Sequence, residues 1–208
     1  MMRNLFLESK AEHDAWPRRI GFYTGAFDPP HPGHVELVGR MIHDLKFDMT
    51  YVSPNPITTN KSDATPYLHR KNMSLLAFAM GAVRVADPNL EELLREGGQD
   101  KALQALLNYF PDDTLIFRIM GDDRIQYYLD HPECYTNPRL KFVFSARDGK
   151  FKEGIPAKIR ESEVIQNVIP EKGYNSTLIR ESFRQDTRRE LDMIPAVEQY
   201  IVENNLYS

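Results

Sequence analysis

Two hydrophobic periods alternate along this chain. Arg19-Ile20-Gly21-Phe22-Tyr23 is a short run of strand length, and from Val35 to Leu45 the apolar residues Val35, Val38, Ile42 and Leu45 recur at helical spacing. Further apolar runs of strand length lie at Met49 to Val52, Leu115 to Met120 and Leu140 to Ala146. Helical spacing is expected from Met73 to Ala82, and from Asn89 to Glu96 and Gln99 to Tyr109, a pair split by Gly97-Gly98. A helix running through Leu178, Ile179 and Phe183 and another from Pro195 to Ile201 complete the pattern. Strand and helix in alternation predict an α/β fold, a parallel sheet flanked by helices with right-handed crossovers. At 208 residues the chain is long enough for one sizeable core of this kind.

The first eighteen residues mix Arg3, Glu8, Lys10, Glu12 and Asp14 without an apolar signal core. They read as an N-terminal extension (1–18) that leaves Trp16 upstream of the fold, with the folded domain at 19–208. Within it, 88–111 reads as a helical insertion, offering packing or homo-oligomer surface first and substrate cover second. Ser53 to Pro66 is a proline- and polar-rich connection of the length often used for substrate loops, with Lys61 as its strong cation. A net charge of −4 argues against broad binding of nucleic acid or of an anionic membrane, and no apolar run is long enough to span a bilayer. The single cysteine, Cys134, excludes an intramolecular disulfide and a cysteine zinc cluster, and suits a cytoplasmic protein.

The candidate chemistry lies between the first strand and the first helix, in Tyr23-Thr24-Gly25-Ala26-Phe27-Asp28-Pro29-Pro30-His31-Pro32-Gly33-His34. Pro32 fits the first helical position, where its missing N–H is not needed, which puts His31 at the cap and His34 in the first turn. Residues three apart share a helix face, so both imidazoles are expected to reach one phosphate and donate to charge that builds during phosphoryl or nucleotidyl transfer. The free N–H groups and positive dipole end of the helix attract the same anion. Gly25 lets backbone approach that anion, and Gly33 stands where a side chain would crowd it. Two other readings stay open at this point: histidines that are simply surface or capping groups, and a pair of metal ligands.

Gly25 to His34 resembles the G-x-F-D-P-P-H-x-G-H signature of the nicotinate/nicotinamide mononucleotide adenylyltransferases, within the H-x-G-H nucleotidyltransferases. Relatives acting on phosphopantetheine or using CTP share the histidines but usually lack the Pro29-Pro30 pair. The resemblance implies a single Rossmann-like nucleotidyltransferase domain. Asn175-Ser176-Thr177-Leu178-Ile179-Arg180 resembles the family's S-[ST]-T-x-[IL]-R segment. Ser176 or Asn175 can cap a helix there, with Arg180 in or near its first turn, where a cation opposes the dipole unless an anion is bound. Pairing of Arg180 with Glu181 is the plain alternative.

Other segments follow the family's order. Ile119-Met120-Gly121-Asp122-Asp123 is similar to its strand followed by G-x-D. By that match Gly121 lets a nucleotide lie against backbone and Asp123 accepts from a sugar or neighbouring group, helix capping being the other use of these acids. Ser145-Ala146-Arg147-Asp148-Gly149 resembles a strand ending in R-P-G, which makes Arg147 an acceptor-phosphate contact or else a turn arginine. Arg70 before Met73 matches the opening of a family helix, and the tail through Leu206-Tyr207 matches its C-terminus. The family's Tyr-Thr segment before the G-x-D strand is replaced by Gly97-Gly98-Gln99-Asp100, and Tyr127, Tyr128, His131 and Tyr135 stand where tryptophans are usual. Any of those rings could stack on a pyridine.

The resemblance implies transfer of AMP from ATP to nicotinate or nicotinamide mononucleotide, giving a dinucleotide and pyrophosphate in NAD biosynthesis. His31, His34 and Arg180 are the catalytic candidates. Gly25, Ala26, Phe27, Gly121, Asp123, Ser176 and Thr177 join them in binding ATP, and Arg147 and Asp123 contact the acceptor. Mg²⁺ travels with ATP, and no protein-held metal is implied. The rivals are transfer to another phosphorylated acceptor or from CTP, and a non-catalytic nucleotide-binding protein.

Overall fold

A computed structural model of the chain describes residues 16–57, 63–121, 127, 130–131, 136–145, 174–187 and 192–208. Five parallel strands form one sheet: β1 (Arg19–Gly25), β2 (Met49–Pro54), β3 (Val83–Val85), β4 (Leu115–Gly121) and β5 (Leu140–Ser145), in the order β3-β2-β1-β4-β5. The helices are α1 (Pro32–Leu45), α2 (Tyr67–Ala77), α3 (Pro88–Tyr109), α4 (Ser176–Arg184) and α5 (Pro195–Glu203). The strand order reverses at β1, which pairs with β2 on one side and β4 on the other. In open parallel sheets, ligands bind beyond the carboxyl ends of the strands at that switch.

β1, β2, β4 and β5 are buried on both faces, as a sheet between two helical layers requires, while the edge strand β3 is only partly covered. Tyr23, Val52, Phe117, Ile119 and Val143 face a core completed by Leu37, Val38 and Met41 of α1, Met73 and Ala77 of α2, and Val197 and Ile201 of α5. Ile20, Phe22, Tyr51 and Ile116 face the other way, against Leu90, Leu93, Leu94, Leu103, Leu106 and Leu107 of α3. The expected 88–111 insertion is therefore the crossover from β3 to β4, and its buried leucines pack on Ile20, Phe22, Tyr51 and Ile116 of the sheet. The break at Gly97-Gly98 is where the spacing placed it, with Gly98 at φ 70 in the region that favours glycine.

Three details differ from the sequence reading. The helix expected over Met73 to Ala82 runs from Tyr67 to Ala77, and the residues after it lead into β3, an edge strand too short to show a period. Trp16 packs on Tyr109 and Phe110 with ring centroids 5.3 and 5.7 Å away, so the fold includes it. The Thr114 hydroxyl donates to the Pro17 carbonyl at 2.9 Å, tying the same segment to β4.

Candidate active site

The loop joining β1 to α1 leaves the sheet at the switch point. Phe27 lies in the left-handed region at φ 48, a strained backbone for a bulky residue. Packing holds it there. The Phe27 ring stands edge-on to Tyr23, His34 and Phe78 with centroids 5.1, 5.2 and 5.5 Å away. A Cβ at Gly25 would lie 3.1 Å from that ring, so this glycine is needed for the turn to close over Phe27.

Proline at the first position of α1 and the absence of an acid in its first turn leave the positive end of the dipole uncompensated by carboxylate. The His31 and His34 rings stack at 3.6 Å and 20°. The backbone N–H of His31 donates to His34 Nδ1 at 3.2 Å, so the neutral imidazole of His34 carries its proton on Nε2. His34 thus offers an N–H donor from a fixed ring. Its partner is less open: His31 is 2 % exposed, and Tyr174 stacks on it at 5.8 Å and 13°. Gly33 permits this arrangement, because a Cβ there would sit 3.2 Å from both His31 Nδ1 and the Tyr174 ring. The Tyr174 hydroxyl donates to Asp192 at 2.9 Å, and burial followed by that carboxylate raises its phenol above the ordinary range.

Helix α4 is brought onto the same loop. Asn175 is its cap, accepting the Thr177 N–H at 2.8 Å, and Ser176 spends its hydroxyl on the Pro29 carbonyl at 2.9 Å. Ser176 is thereby a docking contact as well as a candidate donor. Arg180, one turn into the helix, donates through Nη1 to the Asp28 carbonyl at 2.7 Å and through Nη2 to Thr177 Oγ1 at 3.3 Å, rather than pairing with its neighbour Glu181. His34, Thr177 and Arg180 therefore converge on the loop from Gly25 to His34. Gly121 ends β4 beside Ser145 in the register, next to β1 across the switch point. Asp123 and Arg147, with Lys61, Tyr128 and Tyr135, lie outside the described residues.

The sequence reading did not assign the groups that hold this loop from beneath. Arg70, 2 % exposed, donates to the Ala26, Thr65 and Asn55 carbonyls at 2.8, 2.8 and 2.9 Å. Asn55 returns its own N–H to the Gly25 carbonyl at 2.8 Å. Burial lowers the Arg70 pKa, while Asp28, Tyr67 and Tyr207 act the other way. A signal existed in the sequence, since Arg70 shares the helical stripe of the buried Met73, Ser74 and Ala77. An arginine inside an apolar stripe needs a dedicated set of acceptors.

Among the described residues no group of three His, Cys, Asp or Glu side chains is placed to hold a metal ion, and no helix is long and apolar enough to cross a membrane. A parallel sheet with a glycine loop at its switch point, paired imidazoles at the start of the next helix and an arginine delivered to that loop is the arrangement expected of an H-x-G-H nucleotidyltransferase. The cytidylyltransferase-like family model matches residues 22–182. A probable nicotinate-nucleotide adenylyltransferase of Bacillus cytotoxicus is 32% identical over 197 residues, covering 91% of this chain and 98% of that protein. The nicotinate-nucleotide adenylyltransferase of Bacillus subtilis is 30% identical over 198 residues, with the same shares covered. The chain belongs to the nicotinate/nicotinamide mononucleotide adenylyltransferase family. Its fold is also that of the Plasmodium falciparum nicotinic acid mononucleotide adenylyltransferase solved in complex with NaAD, at a TM-score of 0.67 and 18% identity, covering 91% and 97% of the two chains.

Proposed function

We propose that this protein transfers AMP from MgATP to nicotinate or nicotinamide mononucleotide, releasing pyrophosphate and supplying a pyridine dinucleotide for NAD biosynthesis in the cytoplasm. The observation that carries the reading is the meeting of His34 and Arg180 on one loop at the switch point, with Arg180 Nη1 2.7 Å from the Asp28 carbonyl and the His34 ring fixed through Nδ1. The 5′-phosphate of the mononucleotide attacks the α-phosphorus of ATP, the bond to the bridging oxygen breaks, and pyrophosphate leaves with its charge. No covalent enzyme intermediate is required. His34 donates from Nε2 to a phosphate oxygen, and Arg180 adds the formal positive charge that the short imidazole donors lack. His31, Gly25, Ala26, Phe27, Ser176 and Thr177 complete the triphosphate site, with Gly121 and Asp123 at the nucleoside and Arg147 at the acceptor phosphate. Mg²⁺ enters on the phosphate oxygens as part of the substrate.

The acceptor follows from the Pro29-Pro30 pair and from the names of the relatives. A pyrophosphate-release panel tests it, pairing ATP or CTP with nicotinate mononucleotide, nicotinamide mononucleotide and phosphopantetheine. Release with ATP and at least one pyridine mononucleotide is expected. Release only with phosphopantetheine, or only with CTP, would overturn the acceptor while leaving nucleotidyl transfer in place.

A further inference from the structure

The carboxylate of Asp28, 2 % exposed, sits inside the signature loop and is held by groups far away in the chain. The Thr65 N–H donates to Oδ2 at 3.1 Å, and the hydroxyl of Tyr207, the penultimate residue, donates to Oδ1 at 2.8 Å. A buried carboxylate is costly unless its oxygens are bonded, and these two donors, together with the nearby charge of Arg70, allow an acid at this position. Burial, and after it the charge of Asp28, raises the Tyr207 phenol above its ordinary range, which keeps the hydroxyl protonated and donating.

Tyr207 reaches the loop because the chain doubles back after α5. Asn205 and Tyr207 adopt left-handed backbone at φ 49 and φ 65, and the Leu206 N–H bonds back to the Ile201 carbonyl at 3.0 Å. Non-glycine residues are uncommon in that region and need compensating contacts. The compensation is at the site: the Tyr207 ring lies 6.2 Å from that of Phe183 on α4, and its hydroxyl takes Asp28. The backbone carbonyl of the same Asp28 accepts the Arg180 guanidinium at 2.7 Å. One residue of the loop therefore carries the C-terminal tyrosine on its side chain and the site arginine on its main chain.

We propose that Tyr207 is a positioning residue for adenylyl transfer, fixing through Asp28 the carbonyl on which the guanidinium of Arg180 is registered against His34. The inference rests on the reading of this loop as the triphosphate site. If the hydroxyl is removed, the Asp28 carboxylate loses a donor, the loop relaxes around it, and Arg180 loses its alignment. The segment that follows α5 becomes part of the active-site framework, acting through Arg180 rather than touching substrate.

A double-mutant cycle on the full chain tests this, with Tyr207→Phe, Arg180→Ala and the pair, read by pyrophosphate release from MgATP and by calorimetric binding of a non-hydrolysable ATP analogue. Tyr207→Phe is expected to lower kcat/KM for ATP about tenfold, the scale of a lost hydrogen bond to a charged group. In the Arg180→Ala background the same change is expected to cost less than about twofold, because the group being aligned is gone. Parental kcat/KM in Tyr207→Phe, or an equal loss in both backgrounds, would overturn the proposal and leave Tyr207 a structural bolt. Should the phenylalanine variant not fold, Asp28→Ala removes the acceptor from the other side of the contact, and its coupling to Arg180→Ala must show the same sign. A parent chain that neither binds the analogue nor releases pyrophosphate would sink the triphosphate reading itself, whereas an active parent with an additive cycle removes only the role of Tyr207.

Discussion

The two helices that start at the site, α1 and α4, solve the same terminal problem with different groups. At α1 the cap residue His31 is extended at φ −136 and ψ 167, proline occupies the first turn, and the polar partner of the cap N–H is the His34 ring. At α4 the start is closed by the Asn175 side chain, which takes the Thr177 N–H, while Ser176 anchors the helix to Pro29. The first is capped reciprocally by its own two histidines; the second is capped by Asn175 and contributes a full cation one turn in. A site built this way separates neutral donation from formal charge. In the proposed reaction His34 serves charge that develops in the transition state, and Arg180 serves charge that ATP brings with it.

The comparison breaks most sharply at His34. His34→Ala is expected to lower kcat by about 10²-fold or more with a smaller change in ATP affinity, the pattern for a donor used mainly in the transition state. Steady-state kinetics with circular dichroism as a folding check measures it, and equal turnover in mutant and parent would take His34 out of the mechanism. Arg180→Ala should act on the other quantity, weakening binding of an ATP analogue about tenfold by calorimetry. Its effect on the empty protein is expected to be small, because the lost bond to the Asp28 carbonyl is offset by relief of a cation near a helix start. A clear drop in melting temperature with unchanged ATP affinity would make Arg180 structural.

Smaller changes sharpen the contrast. Gly33→Ala places a methyl 3.2 Å from His31 and from Tyr174, closer than ordinary packing but within what a ring can yield. Turnover should fall roughly threefold to tenfold as the stacked rings shift, with little change in stability. Asn175→Ala removes the cap of α4 and is expected to cost about 1 kcal/mol in thermal unfolding while altering kcat less than Gly33→Ala does. An unchanged melting temperature would show that Ser176 alone secures the helix.

Much of this site was legible from residues close together in sequence. The strand, the glycine turn, proline at the first helical position and two histidines three apart specify β1, the loop and the start of α1 by local rules, and the Asn175–Arg180 segment specifies α4 in the same way. The break of α3 was legible because two adjacent glycines interrupt a helical period. Its place in the fold was not, since whether a helix is an insertion or a crossover depends on where the next strand pairs. The framework under the loop was hidden for a related reason. Arg70 bonds three carbonyls from separate segments, and Asp28 meets Thr65 and Tyr207 from stretches 37 and 179 residues away. Backbone carbonyls carry no residue identity, so such partners leave no motif; only the arginine in the buried stripe of α2 hinted that acceptors had to be waiting.

The central claim, that this loop transfers an adenylyl group, is tested most directly by following the phosphates of ATP. With ATP labelled at the α-phosphate and a pyridine mononucleotide as acceptor, the label should appear in the dinucleotide, while label at the γ-phosphate should appear in pyrophosphate and none on the protein. Transfer of the γ-label to the acceptor, or α-label released only as AMP, would contradict the account.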